Sequence, residues 1–280
     1  MGTKKKQSLS HGRPPTFQKP ASMTAKATRT IIRTHHTLQK QHAQAIKSGD
    51  GAKAKDIERL IEEQGGLKAY QQASITGQSK IRGGDSSTVL MRWLKEEKIT
   101  KSADHELKML EVGALSTTNA CSKSGLFEVT RIDLNSQDPK IQQQDFMKRL
   151  LPTSEDDRFD IISLSLVLNY VPDAVGRGEM LRRTCQFMKV TTNSEDKVFP
   201  ALFFVLPAPC IQNARYMTNQ HLDKILQSLG YSKLHEKIST KLLYQLWKYM
   251  SPPAQKEFVP FPKVEVNPGK ARNNFSIILR

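Results

Sequence analysis

The sequence predicts an α/β protein, a doubly wound sheet behind an N-terminal helical extension. Three observations predict it. From Leu107 onward, short apolar strands alternate with amphipathic helices, the pattern of a mostly parallel sheet covered on both faces. A glycine turn, Glu111-Val112-Gly113-Ala114-Leu115, follows the first of those strands, and Asp133 closes the second, twenty residues after Gly113. Ahead of Leu107 only helical periodicity appears.

In order, residues 1–22 are poor in hydrophobes and rich in Lys, Ser and Pro, which predicts a disordered basic tail. A basic helix is expected from Ser22 to Ser48, broken by Gly49 and Gly51. Further helices are expected over Ala52–Glu63, Leu67–Gln78 and Ser86–Glu97, the last with Val89, Leu90, Trp93 and Leu94 as its apolar stripe. The Tyr70-Gln71-Gln72-Ala73-Ser74 run reads as a solvated face or a contact region. Leu107–Val112, Phe127–Ile132, Phe159–Ser165 and Val198–Leu206 read as strands, and Lys140–Phe146 as a weaker one. Helices follow over Arg177–Lys189 and Thr218–Leu229, with Gly230 as a cap. Lys241–Tyr249 and Asn274–Leu279 read as a final, antiparallel pair of strands. The expected organisation is a tail (1–22), a helical basic region (23–103) and an α/β domain (104–280).

Composition narrows the function classes. Net charge is +16, and residues 1–60 hold 13 Lys/Arg against 3 Asp/Glu. Such an arm is attracted to polyanions, and Lys4, Lys5 and Lys6 also suit a nuclear targeting signal. No run of eighteen apolar residues predicts a membrane span. Three scattered cysteines and seven histidines without ligand spacing point to no metal. A monomer is expected.

Ligands of doubly wound sheets bind beyond the carboxyl ends of the strands. Gly113, Asp133, Asp145 and Asn169 each follow a predicted strand, so they converge on that edge. A dinucleotide fingerprint needs two further glycines, but Leu115 and Thr118 stand there, and no phosphate-loop Gly-Lys-Ser/Thr is present. A lone glycine suits a ligand without phosphate, such as S-adenosylmethionine. The Gly113 turn, with Ala114 and Leu115, would then line its methionine part, and Glu111 would bind its amine, directly or through water, or hold the backbone of the turn. Asp133, with Leu134, would hold the ribose, Asp145 the adenine amine, with Phe146 beside the ring, and Ser163 is a further candidate cofactor contact. Asn169-Tyr170-Val171-Pro172 stands where amino-methyltransferases carry an Asn/Asp-Pro-Pro-Tyr loop. Asn169 would hold a target base by its amide, Tyr170 would stack on it, and Ser165 would sit near the sulfonium. Tyr170 also reads as a core aromatic, and Ser165 as a small packing residue. Arg177, Arg182 and Arg183 are candidate phosphate contacts.

Leu110–Leu115, Arg131–Asn135, Gln144–Phe146 and Phe159–Asp173 together resemble the fungal 25S ribosomal RNA adenine-N1 methyltransferase family. The resemblance covers roughly residues 80–280, and Ser163–Asp173 is its most specific part. It implies a Rossmann-like class I S-adenosylmethionine-dependent methyltransferase fold. It also implies methyl transfer to N1 of an adenine, with large-subunit rRNA or a pre-ribosomal particle as partner, in the nucleus and nucleolus. A metazoan relative is similar to that family but senses S-adenosylmethionine, so a non-catalytic regulatory role is the alternative. The basic arm favours the RNA enzyme.

Overall fold

The computed structural model describes residues 24–77, 84–101, 106–136, 138–190, 197–250 and 260–280. The expected tail at 1–22 lies outside them, as do residues 251–259.

Eight helices and seven strands follow one another among the described residues. α1 (Ala25–Lys47), α2 (Gly51–Glu63) and α3 (Gly66–Gly77) form an N-terminal helical lobe. Thr24 and Asp50 cap α1 and α2 by accepting from Ala27 and Lys53 backbone N–H groups. Gly49, with φ +74°, makes the turn between α1 and α2. Leu38, Ala45, Ala54 and Ile57 are the lobe's small apolar core.

α4 (Ser87–Glu96) leads into β1 (Leu107–Val112), α5 (Ala120–Lys123), β2 (Phe127–Asp133) and β3 (Gln142–Gln143). β4 (Ile161–Ser165), α6 (Ala174–Phe187), β5 (Ala201–Pro207), α7 (Pro209–Gln212), α8 (Asn219–Ser228), β6 (Tyr231–Ile238) and β7 (Leu242–Tyr249) complete the fold. One sheet runs in the order β3-β2-β1-β4-β5-β7-β6. Its first five strands are parallel, and β7 is antiparallel to both β5 and β6. Crossovers to either side of β1 put helices on both faces, the Rossmann-like arrangement. β5 is apolar throughout because both its faces are covered, while β1 and β4 are apolar except at Lys108, Glu111, Ser163 and Ser165.

Two cores flank the sheet. The larger joins α6, α8 and the C-terminal segment, with Leu110, Ile162, Phe187, Leu226, Trp247 and Ile277 buried in it. The other lies under α4 and α5, where the Trp93 ring meets Phe203 edge-on at 6.2 Å and stacks on His235 at 5.3 Å.

The structure differs from expectation at the sheet's edges. The 140–146 strand shrinks to Gln142 and Gln143, both exposed and offering nothing to bury. Tyr231–Ile238 is a strand that the periodicity hides, because His235, Glu236 and Lys237 interrupt it, as charges do on edge strands. Asn274–Leu279 joins no sheet. It is a strap fixed by a bridge from Leu279 to Phe261 and a backbone bond from Ile278 to Ala174, with a second bridge, Asn273 to Ala214, just ahead of it.

Candidate functional site

The carboxyl edge of the sheet gathers most of the residues singled out above. β1 ends at Val112, and Gly113 turns the chain at φ +74°, a conformation L side chains rarely adopt. A Cβ there would come within 2.6 Å of Val167 Cγ2, so the residue must be glycine for both reasons. Its N–H and that of Ala114 donate to the Ile132 carbonyl, which fastens the turn to β2.

Side-chain alternation puts Glu111, Arg131, Asp133, Ser163 and Ser165 on one face, the face that α4 covers. In register, Glu111 lies between Arg131 of β2 and Ser163 of β4. Its Oε1 accepts from Asn119 Nδ2 at 2.7 Å, and its Oε2 lies 4.0 Å from Arg131 Nε. Both Oε2 and that Nε are buried without a hydrogen-bond partner. Burial pushes the Glu111 carboxyl up to about 7, against the opposing pull of Asn119 and Arg131. A buried acid near neutrality beside unpartnered polar atoms marks a candidate ligand site.

Asp133 ends β2, half-buried, and its Oδ1 accepts from the Asn135 N–H at 2.8 Å. Desolvation raises its carboxyl, and that hydrogen bond partly offsets the rise. Leu134 is 68% exposed. Asp145 caps a 3-10 turn, Phe146–Lys148, by accepting from Met147 N–H at 2.8 Å. Phe146 itself lies in the larger core, its ring 5.5 Å from that of Phe187. Ala114 and Ser163 are buried and Leu115 half-buried.

β4 ends in a strained turn. Leu166 adopts φ +59°, unusual for a leucine, while its N–H donates to the Val205 carbonyl at 3.0 Å. The kink redirects the chain into a 3-10 turn, Leu168–Tyr170. Leu168 is buried as an anchor, and Asn169 Oδ1 is buried with no partner. Ser165 Oγ hydrogen-bonds Ser86 Oγ at 2.7 Å.

The sequence reading missed several neighbours. Asp85 holds α4 and α5 together, accepting from the Ser87 and Ala120 N–H groups at 2.9 and 2.5 Å. From α3, the Tyr70 ring meets Tyr170 edge-on at 5.7 Å, and the two side chains hydrogen-bond. Gln71 Oε1 accepts from Asn135 Nδ2 at 2.9 Å, while Gln71 Nε2 donates to the Asn135 carbonyl. His35 stacks behind Tyr70 at 4.6 Å. The Tyr70-Gln71 pair is therefore a contact region. The available signals were two polar residues beside the buried Ala73 and Ser74, and an Arg131 in phase with Glu111.

The three arginines read as phosphate contacts are corrected. Arg177 is 3% exposed; its fork donates to the Val171, Pro172 and Ser276 carbonyls and lies 4.6 Å from the Phe275 ring centre. Arg183 donates to the Phe146 and Arg149 carbonyls, and Arg182 pairs with Glu179 at 2.9 Å and donates to the Arg280 carbonyl. Guanidinium groups so engaged are structural clamps.

Residues 55–277 match the model of a family described as 25S rRNA (adenine(2142)-N(1))-methyltransferase, Bmt2. A 25S rRNA adenine-N(1) methyltransferase of Schizosaccharomyces pombe is 39% identical over 251 residues, 88% of this chain and 89% of that protein. A 25S rRNA (adenine(2142)-N(1))-methyltransferase of Saccharomyces cerevisiae is 39% identical over 225 residues. That match takes in 80% of this chain but only 63% of the relative, so the chain spans less than two thirds of its length. Among solved structures, a T. thermophilus 16S rRNA N2 G1207 methyltransferase (RsmC) in complex with AdoMet and guanosine is 10% identical over 56% of this chain and 38% of that one. Its TM-score is 0.35, and nothing is carried across from it.

Proposed function

The chain belongs to the Bmt2 family of 25S rRNA adenine-N1 methyltransferases, and from that premise we propose that it transfers a methyl group from S-adenosylmethionine to N1 of an adenine in large-subunit rRNA. The observation that carries the reading is the meeting, on one sheet edge, of an acid end and a base end. Glu111 and Asp133 supply the first, and Asn169, with a buried and unpartnered Oδ1, supplies the second. The strand order, with an antiparallel β7 inserted between β5 and β6, supports assignment to class I of the methyltransferase folds.

The residues fit the cofactor. Glu111, with its unsatisfied oxygen, would accept from the cofactor's amino group, and the Gly113 turn with Ala114 and Leu115 would line its methionine part. Asp133, with Leu134, would take the ribose hydroxyls. Asp145 and the Phe146 turn would face the adenine, and Ser163 the sulfonium end. When bound, S-adenosylmethionine supplies a methyl group made electrophilic by its sulfonium.

N1 of adenine already carries a lone pair, so the chain needs to supply orientation and dryness rather than a base. Asn169 Oδ1 would accept a hydrogen bond from the exocyclic amine beside N1, which sets the angle of the ring. Tyr170 would present its face to the base, held from behind by Tyr70. Ser165, tied to Ser86, would keep the floor of the pocket close-packed. A base taken from a folded rRNA must first be unstacked, so a basic surface around the pocket is required. Residues 1–22 as a tail and 23–103 as a helical basic region ahead of a 104–280 methyltransferase domain fit that need. They also fit action on rRNA or a pre-ribosomal particle in the nucleolus.

In an Asn169→Ala variant, kcat for methyl transfer to rRNA should fall at least about a hundredfold while S-adenosylmethionine affinity stays within twofold (the loss of one orienting group costs roughly that much). Equal loss of cofactor affinity would move Asn169 out of the base pocket.

A further inference from the structure

The C-terminal strap and the turn after β5 form a second surface on the catalytic edge. Residues 207–221 and 260–280 carry Arg215, Lys263, Lys270, Arg272 and Arg280 against one acid, Glu265. At one end the strap is sewn to the start of α6: Arg177 Nη1 donates to the Ser276 carbonyl at 2.7 Å and Ile278 N–H to that of Ala174 at 2.9 Å, while the same Arg177 fork donates to the Val171 and Pro172 carbonyls of the loop that follows Asn169. Gly178 permits this contact, since a Cβ there would come within 1.9 Å of the Ile278 carbonyl oxygen. At the other end the Arg215 N–H donates to the Asn273 carbonyl, and the Arg215 carbonyl accepts from Val266 and Asn267. Arg215 also donates through Nη2 to the Gly269 carbonyl at 2.8 Å. The turn after β5 is thus rigidly set beside the base end of the site.

On that frame sits a half-exposed aromatic, Tyr216, with the exposed Lys263 ammonium 4.2 Å from its ring centre. Lys270 is exposed and Arg272 half-exposed a few residues on. Lys40 of α1 adds a cation close enough to feel Arg177 and Cys210 across the same edge. An aromatic face with cations around it is the composition that binds single-stranded nucleic acid: the ring stacks a base and the cations hold the phosphates on either side.

We propose that Tyr216, Lys263, Lys270 and Arg272 form the docking platform for the single-stranded RNA that flanks the target adenine. Tyr216 stacks one neighbouring base, and Lys263 leaves the ring to meet a phosphate as the base arrives. The strap makes the platform and the Asn169 loop a single rigid piece, so binding at one registers the adenine at the other. This rests on the rRNA reading above for its biological substrate, but the surface itself is tested by RNA binding alone.

The test uses the full chain and a labelled, unstructured RNA oligonucleotide, titrated at several salt concentrations, with methyl transfer to rRNA followed in parallel. Lys263→Ala/Lys270→Ala should flatten the salt dependence of log affinity by about 1.4, two single-strand phosphate contacts. Tyr216→Ala should weaken binding at least about fivefold while Tyr216→Phe keeps it, and Tyr216→Ala and the double lysine variant should raise KM for RNA rather than lower kcat. Lys197→Ala, an exposed cation ahead of β5 at the opposite end of the sheet, should match the parent. Wild-type affinity and salt slope in the Lys263/Lys270 and Tyr216→Ala variants would overturn the platform, whether or not rRNA is methylated, and so would a parent chain that binds no RNA. Loss of binding in those variants by a chain that methylates no rRNA would keep the platform and remove the rRNA reading.

Discussion

At the scale of single residues, Glu111 is the most informative side chain. Its carboxyl is pushed up to about 7 by burial, whereas in the unfolded chain it titrates in the ordinary range near 4.5. Between those two values the native state holds a proton that the unfolded state has lost, so stability falls as pH rises through the window. The ligand-free protein should therefore lose on the order of 3 kcal/mol from this group between pH 4.5 and 8. Glu111→Gln should remove that part of the slope, and chemical denaturation at several pH values reads it directly. Affinity for S-adenosylmethionine should run the other way, rising through about pH 7 in the parent as the carboxylate forms and staying flat and weaker in Glu111→Gln. Calorimetric titration that shows parallel pH profiles for the two proteins would take Glu111 out of the cofactor site. Sequence alone could place Glu111 next to a glycine turn. It could not show that Arg131 lies beside it in register at 4.0 Å, because β1–β2 pairing is a long-range fact with no local signal.

At the scale of elements, the loop after β4 is shaped by what surrounds it. Gly113, Val167 and Leu166 interlock, the first two by close approach and the last by its left-handed backbone. Gly113→Ala should destabilise the protein by about 2–4 kcal/mol, the sum of a forced contact and an unfavourable φ. Adding Val167→Ala should recover only part of that loss, since it relieves the contact and leaves the dihedral. Thermal unfolding of the two variants separates those contributions. Full recovery would mean the backbone is unstrained by an alanine. Arg177 does a comparable job for the segment behind the loop. Three carbonyls converge on its guanidinium from Val171, Pro172 and Ser276. Arg177→Met should leave cofactor affinity near the parent's, lower kcat for rRNA at least tenfold, and speed proteolysis of the C-terminal strap. Unchanged proteolysis would show that the strap docks without it. The core strands and the helices between them were readable because buried parallel strands are continuous apolar runs and their covering helices have one apolar stripe. β6 and the strap's lack of a sheet partner were not readable, and β3 was readable only as a longer strand. β3 is two glutamines, β6 carries charges on an open edge, and the strap's Phe275, Ile277 and Leu279 bury against α6 without a sheet partner. Alternating burial looks the same in sequence whether a strand ladder or a helix face provides the cover.

At the scale of the whole molecule, charge and topology point the same way. The excess of +16 is concentrated before residue 60 and on the segments that border the catalytic edge, so attraction to RNA would act where the substrate must enter. The helical lobe reaches that edge through Tyr70 and Gln71, so a site assembled from the sheet borrows side chains that precede their partners, Tyr170 and Asn135, by sixty or more positions. Among the described residues, no helix is long and apolar enough to cross a membrane. Membership in the Bmt2 family joins these features to methyl transfer, and the central claim is the atom that receives the methyl group. The direct measurement incubates the protein with labelled S-adenosylmethionine and unmodified large-subunit rRNA, then digests the RNA and identifies the labelled nucleoside by mass and retention. The expected product is 1-methyladenosine, absent with Asn169→Ala. Label in 6-methyladenosine or in no nucleoside, from a protein that binds the cofactor, would contradict it.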